Sequence, residues 1–362
     1  MIQRVAVLTG GGDAPGLNAV IRGIAKSAIY KYNVEVYGVF DGFKGLMEDR
    51  VKKLEPKDIS GLIAKGGTIL GTTNRDNPFR IPFTIGGEVE YKDLSSWAIE
   101  TFKRHEFDVL IVIGGDGSLS IGYEFYKLGI PVIGVPKTID NDLMETDVTF
   151  GFNTAVETAT FAIDKLHTTA ESHHRVMIIE VMGRYAGWIA LESGIAGGAD
   201  VILIPEIPYT IENVIKKIKE REKEGKRFSI IVIAEGSKEK EGELVVKKVI
   251  QSGSDPIRLG GVGNVLGEKI EKLSNIETRV TVLGHLQRGG SPSPFDRVLA
   301  TRFGVEAMRL AWEKKFGYMV ALKGRNIKSV PLENAIKKLK NVPKQCELID
   351  AAKALGISFG DE

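Results

Sequence analysis

Eight consecutive residues, 135–142, carry a dense set of reactive side chains: Val-Pro-Lys-Thr-Ile-Asp-Asn-Asp. They follow an apolar run, 130–135, that predicts a buried strand. We expect Pro136 to end that strand, because proline cannot donate to a strand ladder. The segment then lies at a strand's carboxyl end, where open α/β sheets bind ligands. One carboxylate there could accept a hydroxyl proton and another could hold Mg²⁺, as phosphoryl transfer requires.

A simpler interpretation of these residues is a polar turn in which an Asx side chain caps a helix. Two glycine-rich strand ends favour chemistry instead. The apolar run 109–113 leads into Gly-Gly-Asp-Gly-Ser at 114–118, where Asp116 is placed to hold a phosphate-bound Mg²⁺. The run 5–9 leads into a glycine turn at 10–16 and then a helical pattern, an arrangement that favours anions. Its spacing matches neither the dinucleotide fingerprint nor the P-loop, and a tight turn alone also favours glycine.

The second half of the chain repeats this pattern with cationic side chains. Apolar runs at 176–181, 228–234 and 278–283 are each followed by polar residues and glycine. The second half supplies Arg184, Glu235, Arg279, His285 and Arg288, and its Arg and His side chains beside glycines favour an anionic ligand. Chemistry therefore recurs at strand ends in both halves.

Strand and helix patterns alternate along the chain, which predicts an α/β fold with mainly parallel sheets. We expect two domains that face each other across an active-site cleft. Residues 77–91 predict a loop or small hairpin, and residues 237–255 predict a polar insertion or lid.

The composition restricts the class of protein. A length of 362 residues allows about two domains. A net charge of +2 gives no indication of a nucleic-acid or membrane partner. The single cysteine, Cys346, excludes an internal disulfide framework and suits a reducing cytoplasm. No apolar stretch approaches the ~20 residues that span a bilayer, and no secretory leader is expected. We expect a cytoplasmic enzyme.

Five motifs in this order resemble the 6-phosphofructokinase family. They are GGGDAPGLNAVIRG at 10–23, GGDGS at 114–118, PKTIDND at 136–142, MGR at 182–184 and GHLQRGGSP at 284–292. The resemblance extends from Val5 to about Leu322. It implies two similar three-layer α/β/α domains and Mg²⁺-dependent transfer of a phosphoryl group to the 1-hydroxyl of fructose 6-phosphate in glycolysis.

Domain boundaries also follow from this resemblance. We expect residues 1–150 with about 284–322 to bind the phosphoryl donor and Mg²⁺. Residues 151–283 would bind fructose 6-phosphate, and residues 323–362 would form a C-terminal tail packed on the body.

The resemblance implies a role for individual residues. Asp140 matches the catalytic base, with Thr138 and Arg184 around the transferring phosphoryl group. Asp116 matches the Mg²⁺ residue, and Asp142 lies near the metal. The donor positions are Gly11, Gly12, Arg75, Gly115, Asp116, Gly117, Ser118 and Lys137. The fructose 6-phosphate positions are Thr138, Ile139, Asp140, Arg175, Met182, Gly183, Arg184, Glu235, Arg279, His285 and Arg288.

Arg175 matches an arginine that the family supplies across a subunit interface. The resemblance therefore implies an active site that is incomplete in a monomer, so a symmetric homo-oligomer is required. We expect a tetramer, the usual state of the family.

Two positions bear on the donor. Lys137 stands where many bacterial relatives have glycine and pyrophosphate-using relatives have lysine. Those pyrophosphate users also have an acid where this chain has Gly117, so the sequence is similar to the mixed-substrate or group III enzymes. An acid would repel the α-phosphate of a nucleotide, and glycine would not. We expect ATP as the main donor, with reversible pyrophosphate-dependent transfer as the alternative.

The bacterial effector site of the family is matched only partly, and inherited allosteric regulation is therefore doubtful. Its matching residues are Arg22, Arg50, Glu206 and Lys226. His167 replaces an arginine of that site, and Glu224 replaces a lysine.

Two other classes of protein compete with this interpretation. NAD kinases and lipid kinases also carry a GGDG loop after a strand, but they lack PKTIDND and GHLQRGGSP. A non-enzymatic sugar-phosphate sensor on the same scaffold should lack the base or the metal acid, whereas Asp140 and Asp116 are both present.

Overall fold

The computed structural model describes residues 1–85, 88–249 and 257–362. The strands are β1 Arg4–Thr9, β2 Glu35–Val39, β3 Val51–Lys53, β4 Ile81–Ile85, β5 Glu88–Lys92, β6 Val109–Gly114, β7 Val132–Thr138, β8 Phe150–Gly151, β9 Val176–Val181, β10 Val201–Leu203, β11 Ser229–Ala234, β12 Val246–Val249, β13 Ile257–Leu259, β14 Thr278–Val282, β15 Tyr318–Lys323 and β16 Asn326–Pro331. The α-helices are α1 Leu17–Ser27, α2 Phe43–Met47, α3 Ser95–Arg104, α4 Asp116–Lys127, α5 Phe152–His173, α6 Trp188–Ala196, α7 Ile211–Lys223, α8 Val262–Ser274, α9 Pro294–Trp312, α10 Leu332–Ile336 and α11 Glu347–Ala354.

The larger sheet has the strand order β16-β15-β7-β6-β1-β2-β3, with β8 paired to the end of β7. Its centre is parallel, and the outer pairs β2–β3 and β15–β16 are antiparallel. Alternate residues of β1 enter different cores: Val5 and Val7 pack on one face, and Ala6 and Leu8 pack on the other. This period of two shows a sheet that is covered on both faces.

The smaller sheet has the order β10-β11-β9-β14, and all of its pairs are parallel. It too separates two cores: Met177 and Ile179 of β9 pack on one face, and Val176 and Ile178 pack on the other. The predicted α/β class with mainly parallel sheets in two layered units is confirmed.

The expectation that Pro136 ends its strand is wrong. Strand β7 continues through Pro136 to Thr138. Along one edge, β7 first pairs with β15, and this pairing ends at Gly134. Along the same edge, β7 then pairs with β8, and this pairing begins at Lys137. Pro136 occupies the gap between these two ladders, where no N–H donor is needed.

The connecting segments and the tail complete the chain. Strands β4 and β5 form the small hairpin predicted within 77–91. The predicted insertion 237–255 contributes β12, and its residues 250–255 lie outside the described residues. In the tail, β16 joins the larger sheet and Ser358 pairs with Val201 of the smaller one. Within the described ranges, no helix is long and apolar enough to cross a membrane.

Candidate active site

The predicted chemical groups lie at the carboxyl ends of strands in both sheets. In the larger sheet, β1, β6 and β7 lead into the glycine turn, Asp116 and Asp140. In the smaller sheet, β9 leads into Arg184 and β11 into Glu235. A direct contact joins the two sheets, because Arg184 Nη1 lies 3.3 Å from Asp116 Oδ1 and 3.4 Å from Oδ2. The predicted convergence of the two halves on one site is therefore present.

The loop between β7 and β8, residues 139–149, is called the catalytic loop here. The Asp140 amide donates to Thr138 Oγ1 at 3.1 Å. Asn141 has a left-handed backbone with φ of 52° and separates the two carboxylates. Its side-chain oxygen accepts from the Thr149 amide at 3.2 Å, and Thr149 Oγ1 donates to the Thr138 carbonyl at 2.7 Å. These bonds fix the backbone that carries Asp140 and Asp142.

Burial dominates the electrostatics of this loop. Asp140 is 6% exposed and Asp142 is 3% exposed. Burial raises the pKa of Asp140 above its ordinary value, while the charges of Arg288 and Arg184 oppose the rise. Burial and the neighbouring Asp140 charge raise the pKa of Asp142 to about 7. Two buried carboxylates suit proton transfer, since burial raises the basicity of both.

The same carboxylates suit a divalent cation. Oδ1 of Asp140 and Oδ1 of Asp142 are buried without a hydrogen-bond partner among the described residues. Oxygen ligands of this kind are the ones that Mg²⁺ prefers, and Mg²⁺ usually takes only one or two carboxylates together with substrate phosphates. No group of three or more His, Cys, Asp or Glu with metal-site geometry occurs in the described part of the chain. The buried acids present therefore fit a Mg²⁺ that is also held by substrate phosphates.

Lys137 and Arg288 enclose the glycine turn after β1. Lys137 Nζ donates to the Gly12 carbonyl, and Arg288 Nη1 donates to the Asp13 carbonyl at 3.0 Å. A Cβ at Gly12 would lie 2.6 Å from Arg288 Nη1, so a side chain at this position would displace the guanidinium. Burial and the charge of Arg288 lower the pKa of Lys137 to about 8. This corner thus presents two cations to an anionic ligand.

Helix α4 begins at Asp116, directly after the N-cap residue Gly115. Gly117 and Ser118 therefore belong to its first turn, where backbone amides have no partner within the helix. Such a helix start binds phosphate readily. All four predicted donor residues of this motif lie together, beside the Arg184 contact.

The loop that carries Arg75 is bonded to the glycine turn. The Gly11 amide donates to the Thr73 carbonyl at 3.0 Å, and Thr72 Oγ1 donates to the Gly11 carbonyl at 2.6 Å. Arg75 is exposed at the edge of an open cleft of about 560 Å³. The cleft is lined by Asp41, Lys44, Glu48, Arg50, Thr72, Thr73, Arg75 and Asp76. Of these, only Arg75 is a predicted donor residue. Thr72 and Thr73 were not predicted as site residues, although two adjacent polar residues beside Arg75 could have indicated them.

On the smaller sheet, Glu235 holds the turn after β9. Its Oε1 accepts from the Arg184 amide at 3.1 Å. Arg184 has φ of 54° and Gly183 has φ of 146°. A Cβ at Gly183 would lie 2.5 Å from the Ala186 carbonyl oxygen, so the turn that aims Arg184 requires glycine. Burial and the charge of Asp140 raise the pKa of Glu235 to about 7.

Four predicted substrate residues are placed differently. Arg175 precedes β9, and its Nε lies 2.9 Å from Glu277 Oε2. Arg279 pairs in register with Met177 at the start of β9 and also contacts Glu277. Arg175 is therefore about the length of a six-residue strand, roughly 20 Å, from Arg184 of the same chain, and Arg279 lies beside the same end of β9. Ile139 is fully buried in a core, and His285 is exposed. This chain does not bring Arg175 or Arg279 to the site.

Comparisons with known proteins identify the family. The family described as "Phosphofructokinase" matches residues 4–311. "ATP-dependent 6-phosphofructokinase 2" of Clostridium perfringens is 55% identical over 99% of this chain and 99% of that protein. "ATP-dependent 6-phosphofructokinase" of Chloroflexus aurantiacus is 52% identical over 99% and 98%, respectively. The chain belongs to the phosphofructokinase family.

Solved phosphofructokinases share the fold. Pichia pastoris phosphofructokinase in the T-state is 31% identical with a TM-score of 0.79, and the alignment covers 99% of this chain and 37% of that one. The pyrophosphate-dependent phosphofructokinase of Nitrosospira multiformis has a TM-score of 0.82 over 99% and 92%. At 21% identity, the second similarity shows the fold alone.

Two residues that match the phosphofructokinase effector site are engaged within this chain. Arg50 pairs with Asp41 and with Glu48, the latter at 2.9 Å. Glu206 Oε1 accepts from the Gly187 amide at 3.0 Å and from the Val342 amide at 2.8 Å.

Proposed function

We propose that this chain transfers the γ-phosphoryl group of ATP to the 1-hydroxyl of fructose 6-phosphate, which forms fructose 1,6-bisphosphate and ADP. The observation that carries the proposal is the contact between Arg184 and Asp116 beside the buried Asp140. It places a cation of the smaller sheet on the acid that follows the donor glycines. Relatives at 52–55% identity are named for this activity. The reaction belongs to glycolysis, and we propose the cytoplasm as its location.

In this proposal Asp140 is the general base. A sugar hydroxyl is a poor nucleophile, and Asp140 accepts its proton as the new oxygen–phosphorus bond forms. The bond from the γ-phosphorus to the bridging oxygen breaks at the same time, and the electron pair leaves with ADP. Arg184, Lys137 and the Thr138 hydroxyl face the negative charge of the transferring group. Their placement on rigid strand ends supplies orientation without movement.

Asp116 and Asp142 would hold Mg²⁺ in this site. When bound with the nucleotide, Mg²⁺ neutralises charge on the phosphates. The Asp142 pKa of about 7 refers to the buried carboxyl without a cation. A nearby cation favours the charged carboxylate.

The sugar phosphate needs cations that this chain alone does not supply. His285 and Arg288 come from the same subunit, with Met182, Gly183 and Glu235 around the sugar. We assign Arg175 and Arg279 of a neighbouring subunit to the 6-phosphate, because both lie at the far end of β9 and β14 within their own chain. Arginine suits this task since its guanidinium binds phosphate through two parallel bonds. The functional unit is then a homo-oligomer, which we propose to be a tetramer.

We further propose the division of labour between the domains. Residues 1–150 with 284–322 bind the donor and Mg²⁺, and residues 151–283 bind fructose 6-phosphate. In support, β15 belongs to the larger sheet, and β9, β11 and β14 belong to the smaller one. The tail, residues 323–362, packs on both.

ATP is the proposed donor because Gly117 adds no charge where the α-phosphate lies, and the cleft beside Gly11 offers room for the nucleoside. Pyrophosphate is the second candidate, since Lys137 can pair with its terminal phosphate. A coupled assay with fructose 6-phosphate, Mg²⁺ and either donor tests the proposal. Product from ATP is expected, and the absence of product from both donors would refute the function.

A further inference from the structure

A short part of the C-terminal tail lies against the back of the catalytic loop. This tail segment comprises residues 339–342, Leu-Lys-Asn-Val, and follows α10. Leu339 forms an antiparallel bridge with Leu143. The Lys340 amide donates to the Asp142 carbonyl at 2.7 Å. The tail segment therefore pairs with the loop as a short backbone ladder, immediately after the two acids.

The side chain of Lys340 adds three bonds to the same loop. Its Nζ donates to Asn141 Oδ1 at 2.8 Å, and to the carbonyls of Thr146 and Asp147 at 2.9 Å each. An ammonium group has three N–H donors, so these acceptors satisfy it fully. Asn141 is the left-handed residue between Asp140 and Asp142. Lys340 thus links residue 141 to residues 146 and 147 of the loop. It also fixes the side chain of Asn141, the left-handed residue between the two acids.

The other side of the tail segment is bonded to the smaller sheet's domain. Trp188 Nε1, at the start of α6, donates to the Lys340 carbonyl at 2.8 Å. The Val342 amide donates to Glu206 Oε1 at 2.8 Å, and this carboxylate also accepts from the Gly187 amide. Four consecutive residues thus join the loop that carries the base to the domain that carries Arg184.

We propose that Lys340 is a positioning residue that holds Asp140 and Asp142 in line with Arg184. Lys340 lies behind the loop, where its Nζ contacts Asn141, two backbone oxygens and the Trp188 ring, so it acts through the loop and not on the substrates. The inference rests on the proposed function. A base displaced by about 1 Å can cost on the order of a hundredfold in rate. We expect the loss mainly in kcat, because the donor glycines and the arginines assigned to the substrates lie outside the catalytic loop.

The test compares Lys340→Met, Lys340→Arg and Lys338→Met in steady-state assays with ATP and fructose 6-phosphate. Methionine keeps the length of the side chain and removes all three donors. Lys338 is an exposed lysine two residues away and serves as the matched control. We expect Lys340→Met to lower kcat at least tenfold with both KM values within threefold of wild type. Lys340→Arg should recover most of kcat, and Lys338→Met should equal wild type.

Thermal unfolding of each variant separates positioning from folding. A Lys340→Met protein that is folded at the assay temperature and keeps wild-type kcat would overturn the inference, as would a loss confined to KM. If Lys340→Met does not fold, Trp188→Phe replaces it, since this change removes the bond to the Lys340 carbonyl and keeps an aromatic ring beside Lys340. It should lower kcat several-fold, and an unchanged kcat would again overturn the inference. An inactive wild type would instead refute the proposed function.

Discussion

Arg175 and Arg184 lie at opposite ends of β9. The strand residues 176–181 separate them, so the two guanidinium groups cannot meet in one site of one chain. Arg184 contacts Asp116 across the two sheets, whereas Arg175 contacts Glu277 at the far edge. An active site that uses both arginines must be assembled from two subunits.

Complementation between inactive variants checks this assembly. We expect mixed oligomers of Asp140→Ser and Arg175→Ala chains to regain activity, because a site can then combine an intact Asp140 with the partner subunit's Arg175. Arg279→Ala should complement Asp140→Ser in the same way. Arg184→Ala is the matched control and should not, since Arg184 and Asp140 belong to the same site of the same chain. Mixed oligomers of the Arg175 variant that form and stay inactive would contradict the assignment.

The base is tested by Asp140→Ser. Loss of a general base costs about 10²–10⁴-fold in rate, and we expect kcat to fall within or beyond that range while fructose 6-phosphate still binds. The variant should unfold at a temperature no lower than wild type, because burial already disfavours the charged Asp140. Asp164→Asn, on the exposed face of α5, provides the control. A near-normal kcat in a folded Asp140→Ser protein would show that the base is another group.

Donor choice is tested by Gly117→Asp in the first turn of α4. The new carboxylate would repel the α-phosphate of a nucleotide, which pyrophosphate lacks. Wild type should have the higher kcat/KM with ATP, and the variant should lose ATP use far more than pyrophosphate use. Measuring both donors in both proteins decides the matter. A wild type that uses pyrophosphate well and ATP hardly at all would refute this role of Gly117.

Glu235 predicts a pH dependence of substrate binding. Its pKa of about 7 means that the carboxyl is protonated below neutrality and loses capacity to accept hydrogen bonds from the sugar. We expect kcat/KM for fructose 6-phosphate to fall as the pH is lowered from 8 to 6. The profile of Glu235→Gln should show a weaker decline, because Asp140, whose pKa burial also raises, is still present. An unchanged decline in the variant would show that Glu235 does not contribute.

The raised pKa of Glu235 also makes stability depend on pH, with a sign opposite to that of the effect on substrate binding. A carboxyl whose pKa is raised in the folded state binds its proton more tightly there, so stability decreases as the pH rises from 4.5 to 7. At roughly 1.4 kcal/mol per pH unit, the charged Glu235 costs up to about 3 kcal/mol above neutrality. Glu235→Gln should therefore melt higher than wild type at pH 8 and similarly at pH 5. Equal melting temperatures at pH 8 would disprove a buried charged Glu235.

Much of this site is predictable because each group follows an apolar run. The runs ending at Ile113 and Val181 define central strands, and parallel strands place their carboxyl ends at one edge. The position of Arg175 is not predictable in this way, because Arg175 precedes its strand and does not follow it. The local residues do not indicate that this end of the strand belongs to the site of another subunit. The expectation for Pro136 was wrong because a strand can continue through a proline whose nitrogen faces no hydrogen-bond partner. Here that depends on where pairing with β15 ends and pairing with β8 begins, which the local sequence does not show. Lys340 gave no signal, as its partners lie about 200 residues earlier in the chain.

That separation has a consequence for synthesis. Asp140 leaves the ribosome long before the tail segment that pairs with its loop. At about 5–20 residues per second, translation of the intervening 199 residues takes on the order of 10–40 s. During this interval a nascent chain carries Asp140 without Lys340 or Val342 in place. The catalytic loop therefore cannot adopt its final bonding until residues 340–342 have emerged, and the ladder from Lys340 to Asp142 forms only after that delay.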